Sequence, residues 1–254
     1  MARNGNIEAV LAGAMALHRQ AALLPHAAVM AACQPLLERL DEPEPEASGW
    51  ARTPWGWTLP RSCVGTTAEH YRASLSSRPT EACLAVDQLL QPALSRWLEG
   101  LFECPLEPLQ STDGLPLPWW ALRVMGPGGG IDPHCEQVWN PHNLIENHAV
   151  AVSHTNRGPV GFEPGFQLSF LYILQAPSAG GELELFRHRG GNPPAAAQPL
   201  ESVGLLPPRP GETLLFNAGE HWHRVRPCQG PQPRLVLGGF LRLDRNRRQL
   251  LAYV

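Results

Sequence analysis

The chain has no lysine: all 20 of its positive side chains are arginine. That absence removes every mechanism built on a lysine nucleophile, Schiff base or lysine anchor. An excess of positive charge is also missing: charged residues are 17% of the chain, ordinary for a soluble globular protein, and the formal net charge is −3, so no basic surface points to nucleic acid or to an anionic membrane. No apolar run reaches the roughly 20 residues needed to span a bilayer. Cysteine pairs at metal-binding spacing are also missing. The six cysteines (Cys33, Cys63, Cys83, Cys104, Cys135 and Cys228) are scattered, with no C-x-x-C, which excludes a structural zinc knuckle and a dense disulfide framework. Free thiols in a reducing cytosol are the expectation. The N-terminal "MARNGNIEAVLAGAMALHRQ" has too weak a charged start to read as a signal peptide. With Glu8 before its apolar stretch it reads as a plain amphipathic helix.

What is present falls into two textures. From about Ile7 to Leu40 the chain is rich in Ala, Leu, Met and Gln at helical spacing and ends at the acidic, proline-broken "DEPEPEAS". "RTPWGWTLPRS" reads as an irregular aromatic connection, and a second helical region runs from about Thr67 to Leu101. After that come short runs rich in aromatic and β-branched residues, separated by Gly/Pro turns. They are "WWALRVM", "HAVAVSH", "FQLSFLYILQ", "GELELF", "ETLLFN", "HRVRP" and "RLVLGGFLRL". The expected fold is α+β and mainly β, with N-terminal helices (residues 1–115) packed on one sheet of a double-sheet jelly roll (116–254), as one integrated domain. The mouth of such a barrel is where a small-molecule site is expected.

Chemistry concentrates in that second half. In "GPGGGIDPHCEQ", His134 and Glu136 stand two apart, on one face of a strand, and an imidazole with a carboxylate suits Fe(II), Mn(II) or Zn(II). A lone H-x-E pair is more often a salt bridge. Here it is followed by "APSAGGELELF", then by "PGETLLFNAGEHWHRV" with His221 and His223, then by Arg234 eleven residues beyond His223. Two histidines and one carboxylate make a facial triad with open coordination positions, and an arginine on the next strand offers a bidentate fork for a carboxylate.

The ordered set H-x-E, G-G-E-L, P-G-x-x-x-x-F, H-x-V and a later arginine resembles the Fe(II)/2-oxoglutarate-dependent dioxygenase superfamily, over roughly Trp119–Leu243. That resemblance implies a double-stranded β-helix, with His134, Glu136 and His223 as iron ligands and Arg234 on the distal carboxylate of 2-oxoglutarate. Arg123, in "WWALRVM", lies where relatives often place a polar residue against the cosubstrate, an even choice against an exposed strand arginine. Ser169 and Gln167 are further candidates for the same pocket. His223, at the family spacing from Arg234, is the ligand on this view, and His221 a rim or supporting residue. Related halogenases have glycine or alanine at the carboxylate position, so Glu136 implies hydroxylation or desaturation. The branch that anchors 2-oxoglutarate with lysine is disfavoured.

The implied reaction consumes O2 and 2-oxoglutarate, gives succinate and CO2, and oxidises a C–H bond of a small molecule, an amino acid or natural-product precursor. A cupin-like isomerase or hydrolase that uses no 2-oxoglutarate is the alternative. It has no need of Arg234. A third reading is a jelly-roll binding protein without catalysis, which predicts no Fe(II) affinity. His142, His148 and His154, at spacings that fit no single face, read as rim or lid residues. Trp139 is balanced between a substrate wall and the core, and Cys135 alternates away from its two neighbours.

Overall fold

The computed structural model describes residues 9, 17–60, 73, 76–109, 117–136, 162–190, 199–244 and 248–254. Trp139, His142, His148, His154 and the "HAVAVSH" run lie outside them, as does most of the chain before Leu17. The helices that pack on the sheet are α1 (His26–Glu38) and α2 (Thr80–Phe102). The strands are β1 (Leu17–Ala21), β2 (Ala51–Thr53), β3 (Gly56–Leu59), β4 (Leu106–Pro108), β5 (Ala121–Met125), β6 (Ile131–His134), β7 (Phe162–Gln175) and β8 (Ala179–Gly180). They continue with β9 (Leu183–Arg189), β10 (Ser202–Leu206), β11 (Glu212–Phe216), β12 (His221–Val225), β13 (Cys228–Gln229), β14 (Arg234–Asp244) and β15 (Gln249–Tyr253). The large sheet runs β1-β11-β7-β14-β5-β3-β2, with β15 on β14 and β4 on β15. The small sheet runs β10-β9-β12-β6. This is the double-stranded β-helix, and six of the seven expected β runs lie on its strands.

Period-2 alternation gives the large sheet two distinct faces. Leu168, Phe170, Tyr172 and Leu174 of β7, with Leu235, Leu237, Leu241 and Leu243 of β14, pack in one cluster with Val29 and Leu36 of α1 and Leu90, Leu94 and Leu98 of α2. Each such side chain, fully withdrawn from water, contributes roughly 1.5–3 kcal/mol. The residues between them, Leu171, Ile173 and Val236, meet Leu183 and Leu185 of the small sheet. Asp87 ties α2 to the start of β5 through one carboxylate oxygen, which accepts hydrogen bonds from Trp119 Nε1 (3.1 Å) and Trp120 Nε1 (2.6 Å).

Two N-terminal expectations are corrected. Leu17–Ala21 falls within the expected helix but forms β1, antiparallel to the edge of β11. The sheet edge supplies backbone hydrogen bonds that local helix preference cannot match, and Arg19 grips Glu212 across it with two bonds of 2.9 and 2.6 Å. The "RTPWGWTLP" connection is a hairpin, β2–β3, whose second strand continues the large sheet from β5 in the register Thr58↔Arg123. Gly56 makes this possible. Its φ is +147°, and a Cβ there would stand 2.0 Å from the carbonyl oxygen of Val124. Among the described residues no helix is long and apolar enough to cross a membrane.

Candidate metal centre and its cavity

Strands β6 and β12 are antiparallel neighbours in the small sheet, with His134 directly opposite His223. Pro133, which has no N–H to give a ladder, is tolerated because β6 is the last strand of its sheet. Glu136 follows β6, held by its backbone N–H to the carbonyl of Ala218 (2.9 Å). The result is one cluster: ligand-type atoms of His134, Glu136 and His223 lie within 4.8 Å of one another. The two imidazole centroids are 4.2 Å apart, and His134 Nε2 is 3.5 Å from Glu136 Oε1.

Backbone carbonyls fix the orientation of both rings. His134 Nδ1 donates to the carbonyl of Asp132 (2.7 Å), and His223 Nδ1 donates to that of His221 (2.9 Å). Each ring therefore carries its neutral-state proton on Nδ1 and turns Nε2 toward the cluster, the arrangement that metal-binding histidines require. Phe216 seals the buried His223 edge-on, at 4.8 Å between centroids.

His221 has a role that differs from a shared ligand. A β-bulge between His221 and His223 breaks the two-residue register against β9, so the two side chains are not equivalent. The His221 ring is buried with Nε2 unpartnered and outside the cluster, while its carbonyl orients His223. Cys135 turns its thiol to the carbonyls of Ala218 (3.5 Å) and Gly219 (3.2 Å), away from its neighbours.

Electrostatics fit a cation at this point. Burial, reinforced by the charge of His134, pushes His223 down to about 3, so its imidazole is neutral at pH 7. Burial alone would raise the Glu136 carboxyl, but the hydrogen bond and charge of His134, with His223 and Arg123, hold it below the usual range. His134 moves the other way: burial lowers it and its bond to Glu136 more than compensates. A metal ion entering here would displace the proton that His134 and Glu136 share.

The cluster opens into a cavity of about 380 Å³. Arg123 lines it beside Glu136, with its guanidinium 5.8 Å from the Phe240 ring centroid. Arg234 lies on the neighbouring strand, opposite Met125, and is fully buried. One of its N–H groups points at Met125 Sδ (3.8 Å), and its Nε has no partner. Burial lowers both guanidiniums, Arg234 to about 10 with Arg123 adding to the effect, so Arg234 stays charged at pH 7; Glu136 opposes the lowering of Arg123. Ser169 is on the cavity wall. Gln167 is not; it is buried against Gly219, whose N–H donates to the main-chain carbonyl of Gln167 at 2.9 Å. Glu184 is used on the small sheet, paired with Arg224 at 2.7 Å. Sequence reasoning missed one whole wall of the cavity: Ala51–Trp55 and Thr58 of the N-terminal hairpin line it. The only local hint was the Trp-Gly-Trp turn, since the pairing of β3 with β5 is non-local.

Residues 118–254 match the model of one protein family, the carrier-protein-independent halogenase WelO5. The chain belongs to this family. Through it the chain is a member of the Fe(II)/2-oxoglutarate-dependent oxygenase superfamily. Among curated proteins no sequence matches. Among solved structures, an N-substituted L-amino acid dioxygenase from Burkholderia ambifaria AMMD superposes with a TM-score of 0.57 at 14% identity, over 98% of this chain and 90% of its own. The same dioxygenase is known in complex with α-ketoglutarate. The α-ketoglutarate-dependent epimerase SnoN from nogalamycin biosynthesis superposes at 0.54 with 13% identity, over 94% of this chain and 85% of its own. At these identities the likeness is one of fold.

Proposed function

We propose that this WelO5-family chain is an Fe(II)- and 2-oxoglutarate-dependent oxygenase that hydroxylates an unactivated C–H bond of a small molecule, an amino acid or natural-product intermediate, with O2 as oxidant and succinate and CO2 as co-products. The observation that carries this reading is the cluster of two imidazoles and one carboxylate, rings held by carbonyls, at the inner end of a cavity that also exposes an arginine.

His134, Glu136 and His223 would hold the iron, a donor set that suits Fe(II) and leaves positions open for other ligands. The iron and 2-oxoglutarate would supply the activation of O2. The protein supplies the rest. Arg234, buried, and Arg123, half-buried and lining the cavity, are cations on adjacent strands; burial disfavours the charge of each and Arg123 adds to the effect on Arg234, so the distal carboxylate of 2-oxoglutarate is an anion that suits this pair. Phe216, Leu171, Leu183 and Val225 keep the walls around the metal apolar, which excludes water from a reactive centre.

The family takes its name from a halogenase, and Glu136 argues against halogenation here. Its carboxylate fills the position that halogenase relatives leave open for halide. A cupin-like isomerase or hydrolase gives no purpose to the buried Arg234 with Arg123 beside it on the cavity wall. Anaerobic addition of Fe(II) and then 2-oxoglutarate to the metal-free protein tests the reading. A metal-to-ligand charge-transfer band in the visible range is expected, and its absence at saturating concentrations of both would reject it. Air and chloride added together should yield no chlorinated product.

A further inference from the structure

The two histidines of the metal cluster sit inside the small sheet, but its carboxylate does not. The ladder between β6 and β12 ends at the His134–His223 pair, and Glu136 lies two residues past it. There the chain is held instead by the turn that joins β11 to β12, residues 217–220. The Glu136 N–H donates to the carbonyl of Ala218 (2.9 Å). The Cys135 S–H is shared between the carbonyls of Ala218 (3.5 Å) and Gly219 (3.2 Å).

The turn itself is braced on three sides. Its Asn217 carbonyl accepts the N–H groups of Glu220 (3.3 Å) and His221 (3.0 Å), which ties it to the start of β12. The Ala218 N–H donates to the carbonyl of Phe216 in β11 (3.0 Å), and the Gly219 N–H to that of Gln167 in β7 (2.9 Å). Asn217 and Ala218 are buried. Gly219 has no room for a side chain: a Cβ would stand 2.9 Å from the Gln167 Cβ and 3.4 Å from the carbonyl oxygens of Gln167 and Glu136. Any larger residue forces the turn, or the main chain at Glu136, to shift.

We propose that this turn fixes Glu136 as a metal ligand, with Cys135 and Gly219 as positioning residues of the centre. This rests on the functional reading above. A glutamate side chain has several rotatable bonds, and a main chain beyond the ladder adds more freedom, all of which a metal ligand must give up. The clip removes the main-chain part before the metal arrives. It also ties the carboxylate to the strand that carries His223, so that the three donors keep one spacing.

The test is a cycle of variants read by the Kd for Fe(II), measured anaerobically by calorimetry with 2-oxoglutarate present, and by the charge-transfer band. Cys135→Ala should raise the Kd roughly three- to tenfold, and Gly219→Ala roughly tenfold or more, as expected for partners that orient a ligand. Cys135→Ser, which keeps a donor, should stay closer to wild type than Cys135→Ala. In a Glu136→Ala background, Cys135→Ala should change the Kd less than about twofold, since the residue it positions is gone. Amide exchange in the metal-free protein gives a second reading. The Glu136 N–H should exchange faster in Cys135→Ala than in wild type, while the amides of β7 and β14 keep their protection. Where Glu136→Ala holds too little metal to measure, or Gly219→Ala does not fold, exchange at Glu136 in Cys135→Ala decides. An unchanged Kd in Cys135→Ala, an equal loss with and without Glu136, or exchange that is unchanged at Glu136 or faster throughout the sheet would each overturn the proposal. A wild type without the band would reject the metal-site reading instead, and the inference with it.

Discussion

The two faces of the large sheet are made by the same strands, one residue out of step, and they obey different rules. On the outer face Phe170, Tyr172, Leu235 and Leu237 disappear into a continuous core with α1 and α2. On the inner face the intervening positions include Ser169, Arg123 and Arg234, polar groups that a stability-driven design would avoid. Arg234 is buried with an unpartnered Nε, a cost that its own fold does not offset. The contrast teaches that the outer face stabilises the scaffold while the inner face carries polar groups that do not serve the core.

The contrast breaks most completely at His223. Replacement by alanine should remove the charge-transfer band and all 2-oxoglutarate turnover, because it deletes a ligand of a three-donor set. His221→Ala should keep the band, since that residue orients its neighbour through its main-chain carbonyl. Loss of the band in both variants would mean that the side chain of His221 matters too. Next in size is the outer face. Phe170→Ala should cost about 3–5 kcal/mol in denaturant unfolding while leaving the affinity of the folded fraction for 2-oxoglutarate unchanged.

Arg234→Ala should do the reverse. We expect the Kd for 2-oxoglutarate to rise roughly 30-fold or more, in line with the loss of one partner of a buried charge pair. The cosubstrate-free protein should melt no lower than wild type, because an uncompensated buried cation has been removed. Asp87 sharpens the comparison on the helix side. Alanine there strands two indole N–H groups and should cost about 1–3 kcal/mol, whereas asparagine keeps the acceptor. Burial raises the Asp87 carboxyl more than the Trp120 and Trp119 hydrogen bonds lower it. Its folded form thus holds a proton more tightly than the unfolded chain does. Wild type should accordingly lose stability relative to Asp87→Asn as pH rises from about 4 through the raised value, measured as paired unfolding curves.

The smallest effect concerns the thiols. Burial pushes Cys33 up to about 12, and Cys83 and Cys104 up to about 11. These three should resist a thiol reagent at pH 8 in the folded protein and react on unfolding.

Much of this was legible in the residues. The alternation of β7 and β14 and the Gly/Pro turns between runs are local, so sequence periodicity marks the strands and their faces. His134, Glu136 and His223 stood out because each short motif sits on or beside a strand and the motifs come in a fixed order. Other features were not legible. Nothing in "LHRQA" announces a strand, since β1 exists because β11 has a free edge, and "RTPWGW" becomes a cavity wall only when β3 adds to β5. The inequality of His221 and His223 depends on a bulge, and bulges are set by pairing partners.

By itself, then, the amino-acid sequence determined the strand content, the three-donor set and the arginines available to it, because these depend on residue type and short-range spacing. Tertiary structure alone decided which arginine faces the cavity, which histidine turns its ring inward and which distant segment walls the site. Those outcomes depend on hydrogen bonds and packing between strands far apart in the chain, and no local window of residues contains them.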